Sequence, residues 1–77
     1  MKLSELPVGR TAAVTTVGGE GALRLRLLDM GLTPGTRVRV EKVAPLGDPM
    51  QIELRGYLLT LRLEDTARIE VEEGKSA

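Results

Sequence analysis

Neither cysteine nor histidine occurs in this chain of 77 residues. The first absence removes disulfides and thiolate metal sites, and the second removes imidazole ligands and His-based acid–base catalysis. Aromatic residues are reduced to Tyr57, so the aromatic faces that hold proline-rich peptides, single-stranded nucleic acids and methylated lysines are missing. An excess of either charge is missing as well. The 11 Lys and Arg balance the 11 Asp and Glu, and no global field draws the chain to nucleic acid or to an anionic membrane. Residues 1–7 lack the apolar run of a signal peptide, and no stretch is long enough to span a bilayer. The expected location is the cytoplasm, without membrane insertion. The hydroxyls Ser4, Ser76, Tyr57 and the scattered threonines have no His to activate them, so no enzyme, no catalytic residue and no cofactor is expected.

What remains is a chain of one domain whose core is built from Leu, Val, Ile, Ala and Met. The run Leu28-Asp29-Met30-Gly31-Leu32-Thr33-Pro34-Gly35-Thr36 writes a helix end, a tight turn and a strand start into consecutive residues. Gly31 supplies the left-handed residue past the helix, and Leu32 packs back on Leu27 in a Schellman-type cap. Pro34 and Gly35 take the second and third places of a type II turn, whose third residue needs positive φ. Upstream, Leu23, Leu27 and Met30 recur at i, i+4 and i+7, one stripe of an amphipathic helix over residues 21–30. Leu28 borders that stripe, and Leu25 falls on the opposite side of the wheel.

Residues 11–17 are small and β-branched between glycines and suit a first strand. Residues 37–41 and 50–54 alternate charged and apolar, as strands with one wet face do. In a further strand Tyr57, Leu59, Leu61 and Leu63 take the inner places; Ala67, Ile69 and Val71 take them in the last, after a turn at residues 64–66. Arg55-Gly56 is a two-residue hairpin loop. Five short strands with one helix after the first are too few for a sandwich, and the expected fold is mainly β, a small SH3-like five-stranded barrel. The domain is expected over residues 1–72, with residues 73–77 as a flexible tail.

Glu41, Glu53, Glu70 and Glu72 fall on the outward phase of strands among Arg37, Arg39, Arg55 and Arg68, which is charge pairing on a wet face rather than a metal centre. The glycines at positions 18, 19 and 21 lack the lysine and hydroxyl of a phosphate loop and read as a flexible connection. In the loop Ala44-Pro45-Leu46-Gly47-Asp48-Pro49, two prolines and a glycine fix a shape around a projecting Leu46, which either folds back on the barrel mouth or meets a partner. Gly47, Pro49 and Gly56 join Gly31, Pro34 and Gly35 as turn residues. The candidate partner surface is Arg24, Leu25, Leu28 and Leu46, an apolar patch rimmed by charge that a docking protein of zero net charge would use.

Leu27-Leu28-Asp29-Met30-Gly31-Leu32-Thr33-Pro34-Gly35, then Val43-Ala44-Pro45-Leu46-Gly47-Asp48-Pro49-Met50, then Gly56-Tyr57 and Leu61-Arg62 with Ile69 and Val71 resemble, in order and spacing, the FeoA family of bacterial ferrous iron transport. The resemblance covers about residues 3–72; Thr66 stands where the family commonly has Ala, and Leu25 where a polar residue is usual. It implies an SH3-like barrel that docks on and modulates FeoB, a membrane iron permease with a cytoplasmic GTP-binding domain, and recruitment to the inner face of the membrane through that partner. Arg24 or Arg26 acting as an arginine finger on that domain is a lesser alternative, and self-association is left open. The competing reading is a stand-alone SH3-like interaction module related to the C-terminal domain of iron-dependent transcriptional repressors. Such repressors read DNA through a separate winged-helix domain. A small RNA-binding barrel is disfavoured by the neutral charge and single aromatic.

Overall fold

Apolar residues at every second position resolve into five strands: β1 (Thr11–Val17), β2 (Arg37–Val43), β3 (Met50–Leu54), β4 (Tyr57–Leu61) and β5 (Ile69–Glu73). A helix α1 (Gly21–Asp29) follows β1, a single helical turn α2 (Leu63–Thr66) joins β4 to β5, and a 3-10 turn spans Leu3–Glu5. These elements come from a computed structural model that describes residues 1–73. The strands form one sheet in the order β4-β3-β2-β1-β5, antiparallel throughout. The register shifts between Val14 and Thr16 and between Val40 and Lys42, bulges that bend the strands so that the sheet curls into a small, unclosed SH3-like barrel.

The inner face carries the core. Val38 and Val40 of β2, Met50, Ile52 and Leu54 of β3, and Ile69 and Val71 of β5 are all buried. In β1 the buried residues are Ala12, Val14 and Val17. The bulge explains why the period of two slips by one there. Leu3 and Leu6, to which no strand or helix was assigned from the sequence, are also buried and extend the core at its N-terminal side.

The junction after α1 forms as read. Leu32 N–H donates to Leu27 O at 3.2 Å and Gly31 N–H to Leu28 O at 3.0 Å, the two bonds of a Schellman cap, with Gly31 at φ 101°. Thr36 N–H then donates to Thr33 O at 3.0 Å with Gly35 at φ 94°, closing the turn that Pro34 opens. Arg55 and Gly56 sit at φ 51° and 86°, both left-handed, as a two-residue type I′ hairpin requires.

Four expectations change. Leu63 is no inner strand residue: β4 ends at Leu61, and Leu63 opens α2 with 41 % of its surface exposed. Tyr57 keeps the inner phase but lies at the rim, half exposed, where its hydroxyl donates to Met30 O at 2.7 Å. A phenol buried without that partner would cost more than rim exposure. Residues 64–66 are a helical turn whose Asp65 and Thr66 are buried. Glu73 belongs to β5, opposite Ala12 and ion-paired with Arg10, so the ordered domain runs past the expected boundary at residue 72. The rest of the expected tail, residues 74–77, lies outside the described residues. Among the described residues no helix is long and apolar enough to cross a membrane.

Candidate docking surface

Leu27 is the one residue of α1 that is fully buried, so the helix is seated by a single large side chain and by polar ties. Arg26 forms an ion pair with Asp65 of α2, Nη2 to Oδ1 at 2.9 Å, and Asp65 is buried. Arg24 Nε donates to Val17 O at 3.1 Å. With Tyr57 on Met30 O at the other end, α1 is fastened at β1, α2 and the start of β4. Both arginines proposed for an arginine finger therefore hold internal bonds.

Leu25 points away from these ties and is 59 % exposed. Leu28, by contrast, is half-buried against the core and offers only part of its surface. Arg24 is exposed beside Leu25. On the β2–β3 loop, Gly47 N–H donates to Ala44 O at 2.7 Å with Gly47 at φ 83°, and Ala44 N–H donates to Pro49 O at 3.1 Å across a cis Asp48–Pro49 peptide. Asp48 accepts from Leu63 N–H at 3.0 Å and faces Arg62 Nε at 3.3 Å. The loop is thus clamped at its base, and Leu46 at its tip is 92 % exposed, so it does not fold back on the barrel mouth.

Two open grooves flank that base. One, of about 250 Å³, is lined by Ala44 and Pro49 of the loop with Lys42, Val43, Gln51 and Thr60. The other, of about 510 Å³, is lined by Asp48 with Arg62, Leu63, Glu64 and Ala67. The residue joined to the Leu46 loop by hydrogen bonding is therefore Leu63, while Leu25 stands on a separate element. Sequence reasoning missed Leu63 because its inner phase continued that of β4 past Leu61.

The carboxylates on the outward faces of the strands meet cations and backbone groups. Arg39 pairs with Glu41 on its own strand and lies opposite Glu53 in register. Among the described residues there is no group of three or more Asp or Glu placed to hold an ion. The glycine connection before α1 is tighter than a flexible linker, since Gly18 N–H donates to Arg68 O at 2.7 Å and a Cβ there would stand 2.9 Å from that oxygen.

The family model for the FeoA domain matches residues 1–73. The chain belongs to the FeoA family. An Fe(2+) transport protein A/Fe(2+) transporter FeoB fusion protein of Porphyromonas gingivalis is 44 % identical over 72 residues, which are 94 % of this chain and 8 % of that protein. The chain thus spans a small part of the length of that curated relative. The solution structure of FeoA from Chlorobium tepidum has 44 % identity and a TM-score of 0.88, covering 100 % of this chain and 73 % of its own. The zinc-bound crystal structure of Stenotrophomonas maltophilia FeoA, an SH3 domain protein, has 30 % identity and a TM-score of 0.81, covering 94 % of this chain and 89 % of its own. A manganese-dependent transcriptional repressor reaches a TM-score of 0.85 at 15 % identity, over 95 % of this chain and 41 % of its own, and at that identity shares the fold alone with this FeoA domain.

Proposed function

We propose that this FeoA domain is an accessory protein of ferrous iron transport that docks on a FeoB-type permease at the cytoplasmic face and modulates its GTP-binding domain. The observation that carries this reading is the Porphyromonas gingivalis protein, in which a FeoA part and a FeoB part share one chain. A tether of that kind raises the effective concentration of one part for the other. The surface proposed for docking is Leu25 with Arg24 and the exposed part of Leu28 on α1, and Leu46 at the loop tip. Exposed leucines on rigid mounts, rimmed by charge, supply the apolar anchors that a neutral protein uses in place of electrostatic steering. The repressor-module alternative has in its favour only the shared fold.

The test is capture of detergent-solubilised FeoB by the parent chain and by a Leu25→Ser, Leu46→Ser double variant. Both side chains are exposed, so the variant is expected to melt with the parent while its capture of FeoB falls at least about tenfold, the equivalent of about 1.4 kcal/mol. Unchanged capture by the folded double variant removes this surface from the reading. No capture by the parent removes the docking reading itself.

A further inference from the structure

α2 is a single helical turn, and one turn is too short to hold itself, because its nucleus fixes several residues in return for very few bonds. Its order must come from outside. Arg62 at the N-cap makes no capping bond, and the first N–H of the turn, that of Leu63, is taken instead by Asp48 Oδ1 at 3.0 Å. At the other end Asp65 is held by Arg26 Nη2 at 2.9 Å. Just beyond the turn, Arg68 O accepts from Gly18 N–H at 2.7 Å, in the connection that leads into α1. The outer side has no such support, since the open groove of about 510 Å³ runs along Leu63, Glu64 and Ala67. Both ties lead to the mounts of the exposed leucines: Asp48 lies two residues after Leu46 in its loop, and Arg26 follows Leu25 in α1. Each tie also needs the turn to be wound. Leu63 N–H and the Asp65 carboxylate are presented together only while Asp65 and Thr66 N–H bond Arg62 O, at 2.9 and 3.0 Å, and Ala67 N–H bonds Leu63 O at 2.9 Å.

We propose that α2 is a relay that winds and unwinds as one unit and thereby couples the Leu46 loop to α1. Release of either tie removes one of the two supports that keep the turn wound, and the other tie then loosens with it. The coupling runs both ways. A partner that grips the Leu46 loop steadies α1 and Leu25, and one that grips Leu25 steadies the loop by the same factor. That consequence for docking rests on the reading given above, whereas the relay itself is a property of the free chain.

Amide exchange on the full chain tests the relay with no permease present, so its failure is distinct from a failure of the docking reading. Gly35→Ala is the control, because it lowers global stability at a turn with nothing within 4 Å of the added Cβ. Arg26→Ala is expected to speed exchange at Leu63, Ala44 and Gly47, on the far side of α2, at least about fivefold beyond that control. Asp48→Ala is expected to do the same at Gly18 and in the last turn of α1. Arg26→Lys keeps a cation beside Asp65 and should fall between the parent and Arg26→Ala; it decides the matter if Arg26→Ala fails to fold. The proposal is overturned if each variant opens only the amides next to its own tie, since burial of Asp65 and Thr66 would then hold the turn alone. It is equally overturned if exchange rises by one factor throughout the chain, which is global unfolding rather than release of α2.

Discussion

Gly31 and Gly35 share a left-handed φ but not a neighbourhood, and the difference sets what each substitution costs. At Gly31 a Cβ would stand 2.9 Å from Tyr57 Oη and 3.3 Å from Leu54 Cδ1, whereas at Gly35 nothing lies within 4 Å. Gly35→Ala therefore brings backbone strain alone, about 1 kcal/mol. Gly31→Ala adds the displacement of the hydroxyl that bonds Met30 O, for a total of roughly 2–3 kcal/mol. Chemical denaturation of the two variants checks the order, and equal losses would show that Tyr57 does not bear on the helix cap. Removing the hydroxyl alone, Tyr57→Phe, is expected to cost about 1 kcal/mol by the same measurement, since the freed carbonyl lies near the surface and can take a water.

Among the elements, α1 depends most on single contacts. Its buried stripe is reduced to Leu27, with Leu23, Leu28 and Met30 only partly covered, so its position relies on the Arg26 ion pair to a turn nearly forty residues away. Asp65 is almost fully buried and Arg26 is half exposed. Arg26→Ala is expected to cost about 1–2 kcal/mol, because the buried carboxylate then loses its cation while the arginine regains water that it had in part retained. A double-mutant cycle with Asp65→Ala should return a coupling of about 1 kcal/mol. Additive losses would mean that α1 and α2 are held together by packing alone. The expected stripe was legible in the spacing of Leu23, Leu27 and Met30. The pairing was not, because the sequence assigns residues 64–66 to a turn, and nothing local to that turn says that Asp65 is buried beside α1.

For the whole molecule, the composition sets the strongest constraint on function. A chain with no His and no Cys offers metal ions carboxylates only, and hard oxygen ligands on a wet surface bind Fe(II) and Zn(II) weakly. Calorimetry with the untagged monomer is expected to give no stoichiometric dissociation constant below about 1 µM for either ion. A tighter site would require carboxylates gathered from two copies of the chain.

Sequence by itself determined the five strands in outline, the helix α1 and the turns at residues 31–36 and 55–56, because each is fixed by local rules. Gly31, Gly35, Arg55 and Gly56 must satisfy φ within their own turns, and alternation in β2 and β3 has a period that any short window reveals. It also determined the family, through motifs read in order along one chain. Tertiary structure decided the rest. Whether Leu63 is core or surface depends on where β4 stops, and that depends on Asp48, which lies fifteen residues away and bonds the first N–H of α2. Which edge of the sheet stays open depends on Met1 and Lys2 reaching β5 across nearly the whole chain. Such contacts carry no local periodicity, since their free energy is gained only after the ends of long loops have been brought together.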